Sequence, residues 1–115
     1  MSKYLTRFNK LLDELNKGTD NKGYEMLSKM EIADYFEYNF YGINDKFKLT
    51  DEQEELAIDI IYNYFINSTN DKMSKYSATY CVSYTISEYN SFEEFYKDYT
   101  DNHDKVIEKF DCHLD

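Results

Sequence analysis

The amino-acid sequence predicts an all-α fold: a compact small bundle of about five to six helices, forming one domain over residues 1–115. Three observations carry this expectation. Apolar residues recur at helical spacing along most of the chain. Thr50-Asp51-Glu52-Gln53 and Ser91-Phe92-Glu93-Glu94 have the capping-box pattern, a hydroxyl followed three residues later by Gln or Glu, that opens helices. No two stretches read convincingly as paired strands, and an isolated strand or lone hairpin is marginal in water.

The elements follow in order. Tyr4, Leu5, Phe8, Leu11, Leu12 and Leu15 line one face of a first helix, with Lys17-Gly18 as its stop and TDNKG as a polar turn. A second helix is expected from about Tyr24. Ile32, Phe36, Phe40 and Ile43 continue it at helical spacing, and Gly42-Ile43-Asn44-Asp45 reads as its end. Thr50 caps the third, whose acidic first turn suits the helix dipole. LAIDIIYNYFI leaves that helix almost no polar face, so it is expected at the centre of the core. Ser91 opens a short helix with Phe92, Phe95, Tyr96 and Tyr99 on one side. TDNHD breaks it, and Val106, Ile107 and Phe110 belong to a last short helix.

YSATYCVSYTISEY, residues 76–89, is ambiguous. Tyr76, Ala78, Tyr80, Val82, Tyr84 and Ile86 alternate with small polar residues, the period of a half-buried strand. Ala78, Cys81, Val82, Thr85 and Tyr89 equally form a helix face. With no partner strand at hand the helix is the reading adopted. The alternative is an α+β fold with a strand at 76–87.

Composition narrows function. The net charge is −10, from 23 acidic and 13 basic residues. Residues 1–30 carry Lys3, Arg7, Lys10, Lys17, Lys22 and Lys29 against Asp13, Glu14, Asp20 and Glu25, so the excess negative charge lies beyond residue 30. Like-charge repulsion then disfavours direct contact with nucleic acid or an anionic membrane, and favours a basic protein partner. There is no apolar run long enough to cross a bilayer, and the N-terminal stretch does not read as a signal peptide. Cys81 and Cys112 form neither a metal spacing nor a disulfide framework, so a reduced, cytoplasmic setting is expected. Abundant Lys, Asn, Tyr and Ile, with no Pro or Trp, point to a low-GC genome, bacterial or of a phage or plasmid.

No catalytic signature stands out, and the chain is expected not to be an enzyme and to use no cofactor. Asp51, Glu52, Glu54, Glu55 and Asp59 crowd a helix start, but a glycosidase needs carboxylates in a cleft, one with a raised pKa. His103, Cys112 and His113, with Asp111 or Asp115, match no known ligand spacing, and no metal is expected. Cys81 reads as a small core residue. Gly18, Gly23 and Gly42 build no phosphate-binding loop.

Two features stand out instead. Glu31, Asp34 and Glu37 form one acidic stripe; Asp51, Glu52, Glu55 and Asp59 form another; Glu88, Glu93, Glu94, Asp98 and Asp101 continue the series. Carboxylates one helical turn apart lie ~5–6 Å from each other, close to the ~7 Å between phosphates along a DNA strand. An acidic surface also serves plain solubility. The second feature is tyrosine, thirteen in all. Tyr62 and Tyr64 read as core; Tyr38, Tyr41, Tyr80 and Tyr84 read as an exposed interface, where a large rigid ring with a hydroxyl is favoured.

In size, charge and the interleaved acids and aromatics of EIADYFEYNFYG and ISEYNSFEEFYKDY, the chain resembles the small anti-defence proteins of phages and plasmids, the anti-CRISPR and DNA-mimic anti-restriction inhibitors. The resemblance implies a partner with a basic nucleic-acid groove, a CRISPR effector or a restriction nuclease in the host cytoplasm, blocked from DNA. The residues expected to bind are Glu31, Asp34, Glu37, Tyr38, Asp51, Glu52, Glu55, Glu88, Glu93, Glu94 and Asp98. The alternative is a small homo-oligomeric adaptor of a phage or mobile element, a homodimer included, with no catalytic activity.

Overall fold

The computed structural model describes residues 20–43, 48–69 and 73–114, with side chains from Glu25 to Phe40 in the first helix. Within them the chain forms helices α1 (Asp20–Ile43), α2 (Asp51–Asn67), α3 (Lys75–Ser87), α4 (Phe92–Asp101) and α5 (His103–Asp111). The all-α expectation holds, and there is no strand among the described residues. A radius of gyration of 14.0 Å, against about 13 Å for a compact chain of this length, marks a packed globule. No described helix is long and apolar enough to cross a membrane. The expected helix at residues 4–15 lies outside the described residues.

Local chemistry explains the boundaries. Thr50 and Gln53 complete a capping box before α2: Gln53 N–H donates to Thr50 Oγ1 at 3.1 Å, and Thr50 N–H to Gln53 Oε1 at 3.0 Å. Ser74 caps α3 by accepting from the Ser77 N–H at 3.0 Å. Ser91 caps α4 through the Glu94 N–H at 3.2 Å; the Glu94 carboxylate turns to the Asn90 N–H rather than completing the box on Ser91. Asn102 separates α4 from α5, with φ −130° and ψ 52° and its amide donating back to Asp98 at 2.7 Å. One boundary differs from expectation. Asp20-Asn21-Lys22-Gly23, expected as a turn, begins α1. Asp20 suits a helix start, and a helical Gly23 costs only about 1 kcal/mol against Ala.

Residues 75–87 are helical, and the ambiguity has a physical source. Ala78, Cys81, Val82 and Thr85 are buried as the helical face requires, but Thr79, Ser83 and Ile86 are buried too. The two threonines tolerate burial because each hydroxyl donates to the carbonyl one turn back, Thr79 to Lys75 at 2.7 Å and Thr85 to Cys81 at 2.9 Å. A helix enclosed on most sides looks like an alternating strand when its polar positions are small and self-bonded. The expectation that α2 lies in the core with almost no polar face holds for most of its length. Ala57, Ile58, Ile60, Ile61, Tyr62 and Tyr64 of α2 are buried, but Asn63 and Ile66 meet solvent. The heaviest packing is α1 against α3.

The core joins Ile32, Phe36 and Phe40 of α1 to these faces of α2 and α3, and to Phe92, Phe95, Val106 and Phe110 of α4 and α5. Phe110 links three elements: its ring meets Tyr64 of α2 at 5.1 Å, and Phe95 and Tyr99 of α4 at 6.2 and 6.4 Å. Cys81 is a buried core residue, as expected.

Candidate functional site

The acidic and aromatic residues fall into three settings. The first is on α1 and α3. Asp34 is exposed, Glu37 is half-buried, and Tyr38 is 83% exposed. Glu31 is tied to Lys75 at the start of α3, 3.3 Å away. Beside them, the Tyr76 ring meets Tyr35 edge-on at 5.4 Å, and Tyr80 meets Tyr84 at 4.6 Å. Tyr76 and Tyr80 both remain exposed. Of the tyrosines expected at an interface, Tyr38 and Tyr80 are exposed, Tyr84 is half-buried against His113, and the Tyr41 side chain lies outside the described residues.

The second setting is an edge made by two helix starts. Gln53, having closed the α2 capping box with its carbonyl oxygen, donates its amide N–H to Glu93 Oε1 at 2.8 Å. Positions 53 and 93 belong to the two cap sequences, forty residues apart. The bond draws the first turns of α2 and α4 together, and with them the exposed side chains of Asp51, Glu52, Glu93 and Glu94. Two adjacent positive helix ends favour this collection of carboxylates. Glu55, one turn on, is half-buried and engaged within the chain.

The third setting is structural. The Tyr89 hydroxyl donates to Asp98, and Lys109 donates to the Tyr89 hydroxyl at 3.0 Å while its ammonium lies over the same ring at 4.8 Å. The Tyr89 bond, then that of Asn102, holds the Asp98 carboxyl below the usual carboxylate range. The Tyr89 bond also holds the Lys109 ammonium above the usual lysine range, with smaller help from Asp98 and Glu88. Glu88 is 3.0 Å from His113. Asp98 and Glu88 are therefore committed to binding α5 and the residues after it to α3 and α4. His103 sits against Tyr99 and His113 against Tyr84, so these histidines serve different places in the fold.

A groove that the sequence did not signal lies between the end of α2 and the α4–α5 pair. It encloses about 590 Å³. Asn63, Tyr64 and Asn67 form one wall; Tyr99, Asp104 and Asp111 form the other; Ile107 lies between the two acids. The buried Tyr64 hydroxyl donates to Asp111 Oδ1 at 2.6 Å across a gap of 47 residues. Burial, then this bond, pushes the Tyr64 phenol far above its ordinary value; burial does the same, less strongly, for Tyr99. Both phenols are therefore neutral at physiological pH, and the proton of Tyr64 is already given to Asp111. Among the described residues no cluster of three or more His, Cys, Asp or Glu is placed to hold a metal. The chain matches no protein-family model, no curated protein and no solved structure.

Proposed function

We propose that the protein is a non-enzymatic inhibitor of a bacterial defence nuclease. It acts by lodging its acidic edge in the basic groove where a CRISPR effector or a restriction enzyme takes DNA. The Gln53–Glu93 bond carries the reading. It gathers Asp51, Glu52, Glu93 and Glu94 from two separate cap sequences on one exposed rim. Carboxylates presented together on one edge of two joined helix starts can occupy Lys and Arg sites meant for phosphates. The charge of −10 would steer such an encounter and make it fast and salt-sensitive.

A phage plating assay tests this. The protein is expressed in low-GC bacteria carrying either a CRISPR system programmed against the phage or a restriction system. The expected result is restored plaques in one strain with the wild type and none with Glu93→Lys/Glu94→Lys. The purified effector should then lose bound DNA to the wild-type protein, less so as salt rises. Full immunity in every strain, together with no displacement of DNA, speaks against the proposal.

One observation favours a second reading, a homo-oligomeric adaptor. Tyr38, Tyr76 and Tyr80 expose a large aromatic area on α1 and α3. Association through that face would survive high salt and would fail in Tyr38→Ala/Tyr80→Ala. Sedimentation at low and high salt separates the two readings.

A further inference from the structure

The groove between α2 and α5 has features that the acidic rim does not share. Asp104 and Asp111 are seven residues apart on one helix, two turns along one side, which sets their Cα atoms ~10.5 Å apart. Ile107 lies on the same stripe between them. The surface is therefore carboxylate, methyl, carboxylate in a line. Tyr64 and Tyr99 line the groove beside it. Among the described residues no Lys or Arg lines the groove, and the last turn of α2, whose Asn67 reaches it, has no basic residue to offset the helix's C-terminal carbonyls. The Tyr64 bond occupies Asp111 Oδ1 and fixes that carboxylate, leaving Oδ2 to accept from a ligand.

Each property selects against some ligands. Two carboxylates and a helix C-terminus repel anions. Acids two turns apart cannot converge on one metal ion. A monocation would satisfy one acid and leave the other. Allowing ~2.8 Å for each ammonium–carboxylate bond, the ends of a ligand joining both acids are ~5 Å or slightly more apart. A chain of three or four methylenes spans that distance. Its carbon backbone would lie over Ile107, and its ammonium ends would meet the two carboxylates. The volume falls in the range of small-molecule sites. We infer that this groove binds a linear aliphatic diammonium ion of the polyamine class, with one end at Asp104, the other at Asp111 and the methylenes across Ile107.

The inference is independent of the nuclease-inhibitor proposal, and its test needs no protein partner. The full chain is titrated with 1,4-diaminobutane and followed by two-dimensional NMR. n-Butylammonium serves as the monocation control and Mg²⁺ as the charge control. Shifts should concentrate at Asn63, Tyr99, His103 and Ile107, and n-butylammonium should bind about tenfold more weakly, as expected for one lost charge-assisted bond. Asp104→Asn and Asp111→Asn should each weaken the diamine by a similar factor. The amide oxygen introduced by Asp111→Asn still accepts from Tyr64, so the fold is kept, and thermal unfolding checks this. Glu93→Gln/Glu94→Gln removes two charges elsewhere and should leave the affinity unchanged. Binding no tighter than that of n-butylammonium or Mg²⁺, shifts spread over all the acidic faces, or equal losses in the Glu93/Glu94 variant would each overturn the assignment.

Discussion

Replacing Tyr64 by phenylalanine tests the buried phenol through the pH dependence of stability. Tyr64 is 5% exposed and donates to Asp111. At pH 8 the variant loses a hydrogen bond to a carboxylate that water can resolvate, about 1–1.5 kcal/mol. Raising the pH removes this advantage. The unfolded phenol ionises with a pKa near 10, whereas the folded one, held neutral by burial and by Asp111, keeps its proton well beyond that. Above pH 10 the unfolded chain therefore binds fewer protons than the native one, and stability falls as pH rises. For one such group the loss is RT ln(1 + 10^(pH−10)), about 0.4 kcal/mol at pH 10 and about 1.4 kcal/mol at pH 11. The phenyl ring of the variant has nothing to ionise. The gap between wild type and Tyr64→Phe should thus close from about 1–1.5 kcal/mol at pH 8 to near zero at pH 11. Tyr89 and Tyr99, also raised, act alike in both proteins and cancel. Guanidinium unfolding at pH 8, 10 and 11 measures the gap. Parallel curves, with a constant difference, would refute the reasoning.

Phe110→Ala should cost about 3–5 kcal/mol, because the ring is fully buried where α2, α4 and α5 meet; urea unfolding measures it, and a loss below 1 kcal/mol would mean that α5 is not docked there. Thr85→Val should change stability by less than about 1 kcal/mol, since the Cys81 carbonyl keeps its backbone partner and the shape is preserved. A cost well above that would show that the hydroxyl does more than satisfy itself.

Much of the fold was legible because helix caps are local. Thr50, Ser91 and the break at Asn102 act within three or four residues, so sequence spacing contains them in full. The start of α1 was not, since Asp-Asn-Lys-Gly suits a turn and a helix start about equally. Site residues were legible as chemistry but not as neighbours. Alternating acids predict a charged surface, yet nothing in Asp98 or Glu88 announces that Tyr89 and His113 will engage them. The groove was hidden for the same reason: Tyr64 and Asp111 meet only after α5 has docked.

The join between α2 and α4 can be tested at Gln53, and the outcome bears on whether charge or spacing matters at the acidic rim. Gln53→Glu keeps the capping box, where Glu serves as well as Gln. It removes the amide that donates to Glu93 and sets two carboxylates face to face. A repulsion at ~4 Å in water is worth about 1 kcal/mol, and the lost bond adds about as much. The variant should be about 2 kcal/mol less stable at low ionic strength. Much of the Coulomb part should vanish at 1 M salt, where the screening length is ~3 Å. Adding Glu93→Gln reverses donor and acceptor and should restore stability to within about 0.5 kcal/mol of wild type, a coupling that a double-mutant cycle reads directly. If Gln53→Glu is as stable as wild type at low salt, the two helix starts are not held together by this bond. If the coupling is found, the single variant separates two ideas about the rim. It carries one more negative charge but a disturbed spacing. A partner that responds to total charge would bind it more tightly, whereas one that reads carboxylates as a phosphate array would bind it less well, and the double variant, with its spacing restored, would recover.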